Sequence, residues 1–459
     1  MWFTKSGIFH TPGNVGYADS LSEDQQAVLD EIILDDPELE LKHDVIISLT
    51  VNTTLDHNLP LYDVRVPVTD FYASETNISS AEISVESDNV IPISALTNKQ
   101  KLLAMDDVYY LDSFEQGAFF LQLEVEGQDE EDVVKITTLL NAGLPDFPQA
   151  NDVLTLAQTG VTALSRHMVP VLNRVGDATY FAANIKDFLN QFDFAHTSNE
   201  ASFTPLANES NICSPLAMID VLTATGINIV ELTGNHNQDC GNEAAISTID
   251  TYTSLGIQTF GGGKNATLAA VPLQLEAKGT NITMLGYNLS TGGYTLGSNP
   301  GANFYTTEKA SADISAAKAR GDIVIVDVQY YECNFYDNVT DDPYCDYANS
   351  AAGDQIGLFH EIINLGADVV VGTAAHQPQT YELYGNGVIY YGLGNLFFDQ
   401  VWWPGTTRSL ILVHYFYDGK LLQTRIVPTV YDDAMQTRLM DTAAAEAFLT
   451  RLVQARPGV

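Results

Sequence analysis

Basic residues are scarce in this chain: 20 Lys and Arg stand against 59 Asp and Glu over 459 residues, a formal charge of −39. A surface of that sign repels nucleic acid and anionic lipid, so nucleic-acid binding is excluded as a function. Nor does any run approach the roughly 20 apolar residues that a membrane-spanning helix requires. The opening residues, MWFTKSGIFHTPGN, lack a basic segment followed by an apolar core, and no signal peptide is read there. A Gly-x-Ser-x-Gly elbow is also missing, which removes support for serine hydrolase chemistry. Cysteine is limited to Cys213, Cys240, Cys333 and Cys345, with no Cys-x-x-Cys pair, so a structural zinc ribbon is not expected.

The four cysteines are an even set. Cys333 and Cys345 bracket the polar run NFYDNVTDDPY, which one bridge would staple, and Cys213 and Cys240 then form the second pair. Two disulfides imply an oxidising compartment, hence an extracellular or cell-surface protein. Seven Asn-x-Ser/Thr sequons, at Asn52, Asn77, Asn208, Asn265, Asn281, Asn288 and Asn338, agree with a glycoprotein. Carboxylate excess has a plain reading too: it keeps an exported protein soluble.

Hydrophobic residues make up 45% of the chain and aromatics 10%, enough for globular cores, and the length predicts more than one domain. Up to about residue 148 the pattern is β-rich. A helix is expected near Ser22–Leu34, strands at Asp44–Val51, Leu61–Val68, Ala81–Val85 and Ala118–Val125, and a helical piece at Leu96–Met105. Pro145 and Pro148 mark a boundary, giving an accessory domain over 1–148 and a second domain over 149–459. There, apolar strands alternate with amphipathic helices: Val153–Thr159, Phe192–His196, Ile227–Thr233, Ile282–Tyr287, Ile323–Val328 and Val369–Thr373 read as strands. Pro170–Gln191, Pro215–Thr225, Asn242–Leu255, Lys309–Arg320 and Asp354–Leu365 read as helices. This is an α/β domain with helix-covered sheets.

Chemistry concentrates in LTGNHNQDCG, Leu232–Gly241, directly after an apolar strand. In α/β sheets that carboxyl edge is where sites are assembled. Gly234 allows the turn, while Asn235 and His236 offer an amide oxygen and an imidazole to one ion or phosphate. Gly261-Gly262-Gly263-Lys264 lacks the Gly-Lys-Ser/Thr ending of a nucleotide loop and reads as a tight turn presenting backbone amides to the site. His196 reads as a satisfied, half-buried histidine. Trp402 and Trp403 form an aromatic pair suited to a sugar, a partner or ordinary packing.

With TGVTALSR (Thr159–Arg166), TSNEASF (Thr197–Phe203), VQYYE (Val328–Glu332), AAHQPQTYELYG (Ala374–Gly385) and IYYGLGNLFFDQ (Ile389–Gln400), the chain resembles the CapA family, associated with poly-γ-glutamate and capsule synthesis. The resemblance covers Val153–Gln400. It implies a metallophosphoesterase-like α/β/β/α sandwich, preceded here by the smaller β-rich or mixed α/β accessory domain. It also implies a divalent ion of the Mn or Zn type, held by Glu200, Asn235, His236 and His376, with Asp193, Asn199 and Glu332 nearby in sequence. His236 and His376 would be the catalytic imidazoles, and Arg166 and Lys264 would hold an anion. Three positions depart from the family pattern. Val161, Gln329 and Ala374 stand where relatives carry metal ligands, so the implied ligand set is incomplete. The expected partner is a polymer or polysaccharide. The competing expectation is a non-catalytic extracellular structural or binding subunit able to self-associate into a polymer.

Overall fold

The computed structural model describes residues 13–36, 39–289, 292–330, 355–401 and 405–456. Cys333, Cys345, Asn338, Glu332, Trp402 and Trp403 lie outside the described residues. The chain divides into two compact units. One comprises the residues up to Phe71 together with Glu75–Ala150, the other Tyr72–Ser74 together with Asn151 onward.

The smaller unit is a sheet backed by two helices. Its elements are β1 (Val15–Tyr17), α1 (Glu23–Leu34), β2 (Val45–Thr54), β3 (Leu61–Asp70), β4 (Val90–Pro92), β5 (Gln100–Leu102), β6 (Gln116–Gly127) and α2 (Glu130–Gly143). The strand order is β1-β2-β6-β3-β4, with β5 added to β3. Helix α1 starts where Ser22 and Gln25 cap each other's backbone in a capping box. Leu29 and Ile33 of α1 and Ile136 and Leu140 of α2 then pack on Val45, Ile47 and Leu123 of the sheet. Two expectations fail here. Ala81–Val85 forms turns, and Leu96–Met105 forms two short strands, Gln100–Leu102 and Ala104–Met105, in place of a helix. Pairing with β3 and with the strand at Asn77 outweighs the helical propensity of that stretch.

The larger unit is built from two facing sheets. The first contains β7 (Leu154–Thr162), β8 (Phe194–Asn199), β9 (Ile229–Glu231) and β10 (Gln258–Phe260), with α3 (Met168–Val175), α4 (Ile219–Ala224) and α5 (Asn242–Ser254) as connections. The second begins with β11 (Leu273–Ala277) and β12 (Thr280–Asn288). It continues through α6 (Thr307–Ala319), β13 (Ile323–Gln329), α7 (Gln355–Asn364), β14 (Val369–Gly372), β15 (Tyr381–Tyr384) and β16 (Gly387–Tyr390). The chain returns to the first sheet with β17 (Asn395–Phe397), β18 (Arg408–Tyr417), β19 (Lys420–Tyr431) and β20 (Thr437–Leu439), and α8 (Thr442–Gln454) follows. The orders are β10-β9-β8-β7-β18-β19-β20, with β17 on β7, and β11-β12-β13-β14-β16-β15. Strands β7 to β10 are mutually parallel, as are β12, β13, β14 and β16.

Alternation along β13 explains how one strand serves two layers. Val324, Val326 and Val328 join Ala310, Ile314 and Ala317 of α6 and Phe359 and Ile362 of α7 in the outer core. The intervening residues belong to the opposite face by the period of two. Asp327 is one of them, and it meets Gln158 of β7 across the interface, Nε2 to Oδ1 at 2.6 Å. The result is the expected α/β/β/α sandwich. The long helix expected over Pro170–Gln191 is broken instead. Gly176 ends α3 in the left-handed region at φ 76°, and a 3-10 turn at Ala178–Ala182 and a short helix at Lys186–Leu189 follow.

Candidate functional site

Parallel strands that end on one rim bring their following loops together, and the expected residues are found there. Glu200 follows β8, Asn235 and His236 follow β9, Gln329 ends β13, and His376 follows β14. Gln329 is 1% exposed and lies at the centre. Its Nε2 donates to Asn235 Oδ1 at 3.0 Å and to Glu200 Oε1 at 3.3 Å, while Thr373 Oγ1 donates to its Oε1 at 3.3 Å. A neutral amide therefore bridges two of the four oxygen and nitrogen donors that a cation would draw together. The two imidazoles are oriented through their Nδ1 atoms. His236 Nδ1 is 2.8 Å from Asp239 Oδ2. His376 Nδ1 is 2.9 Å from Asn395 Oδ1, and Asn395 Nδ2 donates to Gln400 Oε1 and Thr406 O. That network orients the Asn395 amide, so Nδ1 of His376 carries the proton and Nε2 the lone pair.

Among the described residues, one group of three His, Cys, Asp or Glu side chains has donor atoms within 4.8 Å of one another. It is His43, Asp129 and Asp132 in the smaller unit. Glu200, His236 and His376 do not converge in this way. On this geometry the rim does not fit a tightly held ion.

Gly234 is what lets the loop approach. A Cβ there would sit 2.8 Å from Glu200 Cγ and 3.0 Å from its Cα. Gly234→Ala is expected to destabilise the larger unit by about 1–3 kcal/mol. The shift of its urea midpoint at constant slope would measure this, and an unmoved midpoint would mean that the loop retreats freely.

The other expected residues fall as follows. Arg166 makes two hydrogen bonds to the buried Asp399, Nε to Oδ2 at 3.1 Å and Nη2 to Oδ1 at 2.5 Å, and lies over the Phe398 ring. Lys264 is paired with Asp250 of α5. Both cations thus have carboxylate partners where anion binding was expected. The glycine run serves close packing: a Cβ on Gly261 would come within 3.0 Å of Gly286 Cα, and one on Gly262 within 2.4 Å of Leu232 O. Asp193 lies at the opposite end of β8 from the rim, bonded to Thr155 and Lys278. Asn199 donates to Ala201 O. Cys213 and Cys240 form a disulfide. Asn288 is fully buried, its amide donating to Thr233 O and Gly292 O, so it is withdrawn from the accessible sequons.

Sequence reasoning missed a second polar layer, buried between the sheets below the rim. Gln158, His196, Glu231, Asp327 and His414 are all 0% exposed. His196 is therefore fully buried rather than half-buried, with Nε2 3.2 Å from Asp327 Oδ2. His414 meets Gln158 Oε1 at 3.1 Å through Nε2 and Thr424 Oγ1 at 2.9 Å through Nδ1. Burial, reinforced by the charge of Asp327, pushes the Glu231 carboxyl up to about 8. Burial, with His196 adding repulsion, pushes His414 down to about 3. The available signal was the acid in IVIVDVQ, one polar residue inside an otherwise apolar strand.

The profile of the family described as Bacterial capsule synthesis protein PGA_cap matches residues 155–400. The chain is 22% identical over 278 residues to the capsule biosynthesis protein CapA of Bacillus anthracis, an alignment covering 58% of this chain and 64% of that protein. It is 25% identical over 287 residues to the PGA biosynthesis protein CapA of Bacillus subtilis strain 168, covering 60% and 71%. The chain thus spans just under two thirds of the Bacillus anthracis protein.

Proposed function

The chain belongs to the bacterial capsule synthesis protein family PGA_cap, and from that membership we propose that it works outside the cell or at its surface on a capsule or envelope polymer of the poly-γ-glutamate type. The rim that carries Glu200, Asn235, Gln329 and His376 is the polymer-facing site, and it operates without a tightly held metal. The observation that carries this reading is the Gln329 amide bridging Glu200 and Asn235. An amide at that position supplies neither the charge nor the bound hydroxide of a metal-assisted hydrolase. The residues that remain can still hydrogen-bond amide and carboxyl groups along a chain.

Charge sets the terms of such binding. A protein at −39 repels a polyanion at long range, so contact depends on short-range hydrogen bonds and rises with salt. The second reading, a non-catalytic structural or binding subunit, uses the same amide bridge and differs in having no turnover at all.

The test is a calorimetric titration of the full chain with a poly-γ-glutamate oligomer, at low and high salt, beside a titration with Mn²⁺. Saturable oligomer binding that tightens with salt is expected, weakened about tenfold in His376→Ala or Asn235→Ala, as loss of a hydrogen bond to a charged group implies. Mn²⁺ uptake should not change in His236→Ala and His376→Ala. No oligomer binding would overturn the polymer reading. Stoichiometric Mn²⁺ binding that these two variants abolish would overturn the metal-free one.

A further inference from the structure

The larger unit holds an amine that the rim does not use. We propose that Lys309 and Asn303 are joined by an isopeptide bond, made by the folded chain itself, which fastens the first turn of α6 to the short strand Gly301–Asn303. Lys309 Nζ donates to Asn303 Oδ1, which places the amine beside the carbonyl carbon that it attacks. Asn303 is buried and held on two sides. Its Nδ2 donates to Gly286 O at 2.8 Å, and its backbone N–H donates to Gly261 O at 2.8 Å. The amide therefore keeps its oxygen edge toward the amine, and a fixed pair of reacting groups gains the rate advantage of proximity.

The company that Lys309 keeps points the same way. It is half-buried, and among the described residues its Nζ makes one hydrogen bond, to a neutral amide, and no ion pair. In a chain with 59 acids against 20 basic residues that is an odd place for an ammonium, and leaving one half-buried without a partner is costly. Burial lowers its pKa, against a smaller opposing pull from Asp313, which favours the neutral, nucleophilic amine. Asp313 lies one turn further along α6, on the face that Lys309 shares. Tyr287 OH donates to Asp313 Oδ2 at 2.7 Å, and the Tyr287 ring meets Tyr305 edge to face. The step needs no co-reactant. The Nζ lone pair attacks Asn303 Cγ, the Cγ–Nζ bond forms and the Cγ–Nδ2 bond breaks. Nδ2 leaves as ammonia after gaining one proton from Nζ, with Asp313 as the carrier. One amide replaces another, and nothing is oxidised or reduced.

Mass spectrometry of the full chain, reduced and digested with trypsin, tests the bond. An acylated lysine is not cleaved, so one fragment, Gly279–Lys318, is expected, lighter by one ammonia than its sequence. Cyclisation of Asn303 on its own backbone would also release ammonia, but it would leave Lys309 open to trypsin, so the two marks together identify the link. Lys309→Arg keeps the charge and the helix, and it should restore both the full mass and cleavage after position 309. Asp313→Asn should slow the reaction by about a hundredfold, read as unlinked fragments in freshly made chain. Fragments Gly279–Lys309 and Ala310–Lys318 at full mass in the wild-type chain would overturn the proposal. Complete linkage in fresh Asp313→Asn would remove Asp313 from the step.

Discussion

Replacing Cys213 and Cys240 together by serine should cost the larger unit about 3–4 kcal/mol, the loop-closure entropy expected for a bridge across 27 positions. The reason lies mostly in the unfolded chain, which regains the freedom that the cross-link removes. A local consequence accompanies it. The bridge joins the segment after Glu200 to the end of the Gly234–His236 loop, with Cα atoms 6.0 Å apart. Ser202 Oγ donating to Asn237 O and Phe203 N donating to Thr248 Oγ1 hold the same two segments in the native state. Those bonds keep the rim assembled in the variant, so the loss should appear as a lower unfolding midpoint with a native-like folded baseline. Hydrogen exchange should reveal opening of the two loops before the sheets. An unchanged midpoint would mean that the bridge restrains nothing the unfolded chain lacks.

Acidity should set the stability of the larger unit through the layer between its sheets. Glu231, at about 8 when folded against an ordinary value near 4.5, binds a proton that the unfolded chain has released. Its contribution is complete below about pH 4.5 and is lost as pH rises toward 8. His414, at about 3 against 6.5, is neutral in the fold where the unfolded chain is protonated, so its contribution is lost as pH falls below 6.5 toward 3. Each slope is about 1.4 kcal/mol per pH unit. They cancel between pH 4.5 and 6.5, and stability should be flat there. Above that plateau Glu231 acts alone and removes about 2 kcal/mol by pH 8. The groups facing it are Asp327 from β13, with Ser198 and Thr233 supplying hydrogen bonds. Glu231→Gln should therefore abolish the alkaline fall and turn the plateau into a slope, because His414 then acts alone and stability falls with pH from about 6.5 toward 3. The measurement is the denaturant midpoint of the larger unit at half-unit pH steps. Wild-type stability that climbs steadily to pH 8 would sink the account.

Much of the larger unit was legible because its strands are apolar runs and its helices amphipathic. Val369–Gly372 and Ile323–Gln329 could be read almost to the residue. The rim loops were legible because Gly234, Asn235 and His236 follow such a strand directly. What escaped depends on contacts distant in sequence. Gln329 reads as a lost ligand, and only its position between Glu200 and Asn235 makes it a bridge. Arg166 reads as an anion holder until Asp399, 233 positions away, comes beside it. In the smaller unit, α2 is hidden because its buried positions, Asp132, Ile136 and Leu140, open with an acid. The triad with His43 is invisible for the same reason: its imidazole comes from a loop 89 positions before Asp132.

The alternation along β13 also bears on how accurately the chain assembles. A slip of one position in its pairing with β12 or β14 would turn Asp327 and Gln329 into the oily layer beneath α6 and α7 and expose Val326 and Val328 to the opposing sheet. Each misplaced polar group would lose its partner at a cost of about 1–3 kcal/mol. Those two side chains therefore act as a proofreading device for strand registry, rejecting a mispaired sheet before the rim can form.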